Sequence, residues 1–313
     1  MLAAFSFLNY SLREENAVIK NPSVIYFLKQ SIMKKNIILK LAALGLTLTA
    51  GIACSKEYNE LDPVIKPALN DTILNVNYES GEVTSGITGI TGTHATAADA
   101  VYMTSPGNTG KYAIAHKVTL GDSGYFSNDA YRSESDAVSL AKYRYNPGDE
   151  HRYEVSILLK DWQSWNSANP AYGDNVFQLK MSDNQLLPLR ILTKRNAIVA
   201  RNYQYQDNLV TDFRPYINQW IKFRVEVKWM TDTTGYMKIY VKLPDQSDYK
   251  LVLERNNFVT FTGNPVNGNV GYLKWGVYRE AGKDANGNVI TNDNVLTRIA
   301  YHDDIRIIRL PLK

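Results

Sequence analysis

Residues 220–229 read WIKFRVEVKW. Ile221, Phe223, Val225, Val227 and Trp229 occupy every second position, and Lys222, Arg224, Glu226 and Lys228 fill the places between. Successive side chains of a strand point to opposite faces, so this stretch is a strand with one apolar and one charged face. Three more segments repeat the pattern. In YMKIYVK (236–242), Met237, Ile239 and Val241 oppose Tyr236, Lys238, Tyr240 and Lys242. In NVFQLKM (175–181), Phe177, Leu179 and Met181 oppose Val176, Gln178 and Lys180. In YLKWGVYR (272–279), Leu273, Trp275 and Val277 oppose Tyr272, Lys274, Gly276 and Tyr278.

From about Thr72 onward there is no long helical period, internal repeat or second linker. Short alternating segments recur between clusters of Gly, Asn, Asp and Pro, the pattern of an all-β chain. Strands covering residues 72–313 fit a two-sheet β-sandwich, a jelly roll of the concanavalin A-like kind. Any single polar face is accounted for by solvation alone. The repeated mixture of Tyr with Lys or Arg, as at Arg224, Lys238, Tyr240 and Tyr272, suggests a sheet face that meets an anionic ligand with rings that stack.

The composition is globular, with 313 residues, 44% of them hydrophobic. The formal charge of +4 comes from the N-terminal stretch. Residues 1–53 hold six basic and two acidic side chains, which leaves 29 of each in the remainder. A nucleic-acid partner is therefore not expected, since such proteins carry a basic excess. The single cysteine, Cys54, excludes an intramolecular disulfide and a thiolate zinc site.

From Met33 the chain reads MKKNIILKLAALGLTLTAGIAC. Lys34, Lys35 and Lys40 form a positive region, Leu41 to Leu48 an apolar one, and Gly51-Ile52-Ala53 supply small residues before Cys54. These are the parts of a signal peptide, and the apolar run is short for a membrane span of about 20 residues. With the cysteine at the cut site the segment resembles a bacterial lipoprotein signal, which departs from the usual pattern by placing Gly51 where a leucine is common. The expected organisation is an upstream mis-start (1–32), a signal peptide (33–53), a tether (54–71) and the β-domain (72–313). Lipid on Cys54 would anchor the protein to the outer membrane or cell surface. The acidic residues that follow, Glu57 and Glu60, resemble surface-export signals of Gram-negative polysaccharide degraders.

YLKWGVYREAG (272–282) followed by TRIAYHDDIRI (297–307) resembles the C-terminal part of jelly-roll polysaccharide lyases of the heparin lyase I type. YRSESD (131–136) and VFQLKMSDNQLLPLRI (176–191) fall upstream in the matching order. The resemblance implies β-elimination on an anionic, uronate-containing polysaccharide. Such a lyase removes the proton α to a carboxylate and expels the glycosidic oxygen, so it needs carboxylate neutralisation, a base and an acid. By resemblance Tyr278 is the acid/base, while Lys274 and Gln178 bind the substrate. Where the family places a histidine base, this chain has Lys180, which can act as a base only if its pKa is lowered by burial or by other cations. Otherwise Lys180 binds the carboxylate and leaves both proton transfers to Tyr278, or there is no catalysis. Arg132 and Glu134 match the family's Arg-x-Glu and read equally as substrate-binding or as a structural ion pair. Gly276 would leave room for a sugar between Lys274 and Tyr278.

Four histidines could replace the absent base, although a lone histidine is more often structural. His116 shares parity with Ile114 and Val118 and reads as partly buried. His151 reads as exposed at a strand start, His302 lies in YHDD, and His94 lies in a Gly/Thr loop. Asp303 and Asp304 suit a calcium ion with loop oxygens or, at the start of the last strand, pairing with basic neighbours. The loop Asp284–Asn294 lacks the glutamate that closes a calcium loop, so no metal or other cofactor is assigned. No Ser-His-Asp order, phosphate loop or dinucleotide fingerprint occurs. Two alternatives stand beside the lyase: a non-catalytic carbohydrate-binding lipoprotein on the same fold, and a glycosidase.

Overall fold

A computed structural model describes residues 71–128, 130–168, 173–182, 187–280, 284–286 and 295–311. The expected signal peptide, Cys54 and all of the tether but Asp71 lie outside the described residues. The strands, in chain order, are β1 (Asp71–Val76), β2 (Val101–Thr104), β3 (Ala113–Thr119), β4 (Phe126–Ser127), β5 (Ala130–Asp136), β6 (Glu150–Lys160), β7 (Gly173–Met181) and β8 (Leu189–Lys194). They continue with β9 (Ala197–Arg201), β10 (Gln206–Val210), β11 (Trp220–Lys228), β12 (Tyr236–Lys242), β13 (Lys250–Asn256), β14 (Gly271–Arg279) and β15 (Thr297–Arg309). β1 begins one residue before the boundary expected at Thr72.

The strands form two antiparallel sheets. An eight-stranded sheet runs β13-β12-β11-β6-β15-β3-β2, with β1 also paired to β15. A seven-stranded sheet runs β10-β9-β8-β7-β14-β5-β4. The apolar stripes meet between them: Phe223 and Val225 of β11, Ile239 of β12, Phe177 and Leu179 of β7, and Trp275 of β14 are all in one buried core. Each such side chain contributes about 1.5–3 kcal/mol by leaving water. Half-exposed ion pairs contribute about 0–1 kcal/mol, so the stripes rather than the charged ladders hold the sheets together. This is the jelly-roll sandwich that the alternation implies.

Alternation tells which face of a strand is polar but not which sheet the strand joins. Arg224, Lys238 and Tyr240, expected to bind substrate, belong to the eight-stranded sheet. They face away from the core, on the opposite side of the sandwich from Gln178 and Tyr278. There they are tied into a cross-strand ladder. Arg224 donates to Glu154 at 2.9 Å, Lys238 to Glu254 at 3.0 Å, and the Tyr240 hydroxyl to Glu226 at 3.4 Å.

Candidate active site

The outer face of the seven-stranded sheet carries the site. Its centre is β14, flanked by β5 and β7. The register places Tyr278 opposite Arg132, Gly276 opposite Glu134 and Lys274 opposite Asp136. On the other flank Lys274 faces Gln178 and Tyr272 faces Lys180, and a bulge follows between Trp275 and Tyr278. Gly276 sits at that bulge with φ of +140°, and a Cβ there would lie 2.3 Å from the Ser133 carbonyl oxygen. Only glycine is tolerated at this position.

The space over Gly276 is not open for a sugar, contrary to the expectation from sequence. Glu134 and Gln178 reach across β14 from either side and meet there. Gln178 donates through Nε2 to Glu134 Oε1, and Lys274 donates through Nζ to Glu134 Oε2 at 2.9 Å. All three side chains are buried. Burial would raise the Glu134 carboxyl, but the Lys274 ammonium and its hydrogen bond, with Arg132 and Lys180 beyond, hold it below the ordinary carboxylate range. Glu134 and Lys274 are therefore a structural ion pair in the floor. Lys274 does not present a free cation to substrate.

A cleft of about 410 Å³ opens above this floor. It is lined by Arg132, Gln178, Lys180, Arg190 and Tyr278. The Arg132 guanidinium stands over the Tyr278 ring, 4.5 Å from its centroid, and donates to the Asn128 carbonyl at 3.1 Å. Neither Arg132 nor Lys180 makes an ion pair with a described residue. Among the described residues the buried Nε atoms of Arg132, Arg190 and Arg201 also lack a hydrogen-bond partner. Arg190 donates to Glu280 at 2.8 Å, and Arg201 pairs with the same Glu280 oxygen.

The electrostatics separate the two expected catalytic residues. Burial, then the Lys274 charge and Arg132, push the Lys180 ammonium below its usual pKa, against the pull of Glu134. Burial pushes the Tyr278 phenol up, and this outweighs the lowering effect of Arg132. Tyr278 is thus a proton donor at neutral pH, and the surrounding cations do not make it a ready base. Its neighbour Tyr272 is pushed up to about 12 by burial and by the charges of Asp136 and Glu134. Tyr272 is buried opposite Lys180, not displayed as a stacking surface.

The histidines divide differently from expectation. His151 is buried, with Nδ1 3.3 Å from the Tyr153 hydroxyl, where an exposed residue was expected. His116 and His302 are both fully buried in the core with their Nδ1 atoms 3.2 Å apart. His116 Nε2 lies 2.9 Å from Ser135 Oγ, and His302 Nε2 donates to the Val176 carbonyl at 2.9 Å. His94 is exposed and sits 2.6 Å from Asp136, beyond the Lys274 end of the floor. Asp303 and Asp304 lie inside β15 rather than at its start, where they accept hydrogen bonds from Asn108 and Thr109. No group of three or more His, Cys, Asp or Glu suited to a metal occurs among the described residues.

Arg190 and Glu280 were not singled out from sequence. Arg190 alternates with Leu189 and Ile191, which marks it as outward-facing, but only the register brings it opposite Gln178.

Fold and site together describe a jelly roll with a cationic cleft on one sheet. The sequence matches the Polysaccharide lyase family model over residues 79–306, and the chain belongs to that family. Similar solved structures include an endo-β-1,4-glucuronan lyase from the fungus Trichoderma reesei. It is 16% identical, with 76% of this chain and 95% of that chain covered, at a TM-score of 0.52. The marine PL-14 alginate lyase from Aplysia kurodai is 12% identical, with 76% and 99% covered, at a TM-score of 0.50. Identities this low establish a shared fold. A comparison with curated proteins gives no significant match.

Proposed function

We propose that this polysaccharide lyase cleaves an acidic, uronate-containing polysaccharide by β-elimination. The carrying observation is one cleft that holds a lysine with a lowered pKa, a protonated phenol, and an arginine with no ion-pair partner among the described residues. The fold neighbours named for glucuronan and alginate support an acidic polymer as substrate. The heparin lyase I resemblance supports the roles of the residues.

Arg132 takes the uronate carboxylate, Arg190, itself paired to Glu280, adds positive charge beside it, and Gln178 adds an amide. Neutralising that carboxylate makes the α-proton on C5 more acidic. Neutral Lys180 takes this proton. The electron pair forms the C4–C5 double bond as the C4–O bond breaks, and Tyr278 gives its proton to the departing oxygen. Lys180 thus replaces the family's histidine, with Glu134 and Lys274 fixing the floor beneath. The product is an unsaturated uronate that absorbs ultraviolet light, and hydrolysis cannot make it. The test is that absorbance on a panel of acidic and neutral polysaccharides. Acidic substrates should give it and neutral ones should not. Binding of acidic glycan with no unsaturated product on any uronate would leave a carbohydrate-binding protein instead.

We propose further, from the signal-like segment that ends at Cys54, that the protein is exported and held by lipid at the outer membrane or cell surface. Since Cys54 is the only cysteine, Cys54→Ala should abolish labelling by radioactive fatty acid in cells. Retained label would refute the anchor.

A further inference from the structure

A second cavity, of about 480 Å³, opens on the same sheet. Trp165, Lys194, Arg195, Asn196 and Gln206 line it, and its lining contains no carboxylate. It shares the outer face with the catalytic cleft. On β8, Arg190 lines the first cavity and Lys194 the second, while the residues between them alternate as a strand must. Four residues along one strand are about 13 Å at roughly 3.3 Å per residue.

The cavity is built rather than incidental. Arg195 begins the two-residue turn between β8 and β9 with φ of +54°. This region is uncommon for a residue with a side chain, and hairpin turns usually place Gly, Asn or Asp there. The strained position presents the guanidinium 5.1 Å from the centroid of the Trp165 ring. Asn196, next in the turn, accepts from the Trp165 backbone N–H at 2.8 Å, which fixes the indole segment to the turn. Lys194 donates to Gln206 at 3.0 Å, and neither Lys194 nor Arg195 forms an ion pair with a described residue. A guanidinium held by an aromatic ring loses little further freedom when it binds a carboxylate.

We infer that the Trp165–Lys194–Arg195 cavity is a distal subsite that binds a further acidic sugar of the chain engaged in the catalytic cleft. This rests on the proposed acidic polysaccharide. The subsite would make the enzyme favour long chains, because the second contact is tethered to the first and gains its effective concentration. A disaccharide cannot span both cavities, whereas a hexasaccharide can.

The test is calorimetric titration of the protein, in the Tyr278→Phe background to suppress turnover, with oligoglucuronates and oligomannuronates from disaccharide to hexasaccharide at low salt. The hexasaccharide should bind at least tenfold tighter than the disaccharide. Arg195→Gly should cut that ratio about tenfold, a change of about 1.4 kcal/mol. Glycine accepts the positive φ, so this variant should melt no lower than its parent. Trp165→Ala should cut the ratio similarly by freeing the guanidinium. A ratio near one in the parent, or a ratio unchanged in both variants, overturns the subsite. Wild-type absorbance assays keep the two readings apart. Loss of the ratio in the variants with no unsaturated product from wild type would refute the lyase chemistry and keep the subsite. Product from wild type with a ratio insensitive to both substitutions would do the reverse.

Discussion

The Arg132 guanidinium lies over the Tyr278 ring, 4.5 Å from its centroid, on neighbouring strands whose register sets the two residues opposite each other. One residue thus brings positive charge to the phenol and, on the proposed reading, to the incoming carboxylate. The Tyr278 hydroxyl makes no hydrogen bond to a described residue, which leaves it available to a leaving oxygen. Tyr278→Phe keeps the ring and its stacking but removes the proton. Turnover should fall by about 10²-fold or more, the usual loss of general acid help, while glycan affinity measured by titration changes little. Equal activity in the variant would reduce Tyr278 to a packing surface.

The pH profile follows from the same cluster. A lysine base must be neutral, so kcat/KM should rise with pH through the lowered pKa of Lys180. It should fall only when Tyr278 deprotonates, on the alkaline side of the ordinary phenol range, because burial raises that phenol. Arg132 lowers both groups, so Arg132→Gln should move both limbs of the profile to higher pH as well as weaken binding. A profile whose acid limb stays fixed in this variant would point to a base remote from Arg132, with exposed His94 on Asp136 the first to examine.

The strands were legible because apolar residues at every second position have one cause, a buried face. Phe223, Ile239, Leu179 and Trp275 all point inward as their spacing implies. Gln178, Lys180 and Tyr278 were legible as one face for the same reason. Sheet membership was not, because it depends on long-range pairing that local periodicity does not encode. Arg224 and Lys238 look equivalent to Lys180 in sequence yet stand on the far side of the sandwich. Lys274 shows a second limit. Its spacing marks it as outward-facing, but its partner Glu134 lies 140 positions away, so its burial in an ion pair cannot be read along the strand.

That ion pair sets a stability test. Glu134 and Lys274 are both nearly inaccessible, so Glu134→Gln would leave a buried ammonium without its counter-charge. The cost at neutral pH should be about 3–5 kcal/mol in urea unfolding, and Glu134→Gln combined with Lys274→Met should recover much of it. The pH dependence has a definite sign. Glu134 is held below the ordinary carboxylate range in the folded protein, so its contribution is complete above that range and is lost as pH falls through the lowered value. A single variant within about 1 kcal/mol of wild type would mean that the pair is no more than a surface-strength contact.

The core histidines give the folded protein a sensitivity to acid that is separate from catalysis. Burial holds His302 down to about 4 and pushes its neighbour His116 well below the usual imidazole range. In the unfolded chain a histidine takes its proton near 6.5, so between 6.5 and 4 the unfolded state binds more protons than the folded one. The stability that His302 confers is therefore complete above 6.5 and lost as pH falls toward 4. Asp303 titrates in the opposite sense over much of that window. Burial and the Asp304 charge push it up to about 7, so it takes up a proton in the folded state first and favours folding as pH drops. Wild-type stability alone would mix the two effects, and the informative quantity is the difference between wild type and His302→Gln. The amide still donates toward the Val176 carbonyl but does not titrate. Urea unfolding should show the variant less stable at pH 7, with the gap narrowing by roughly 3 kcal/mol by pH 4. A gap that stays constant across this range would show that His302 keeps an ordinary pKa inside the fold.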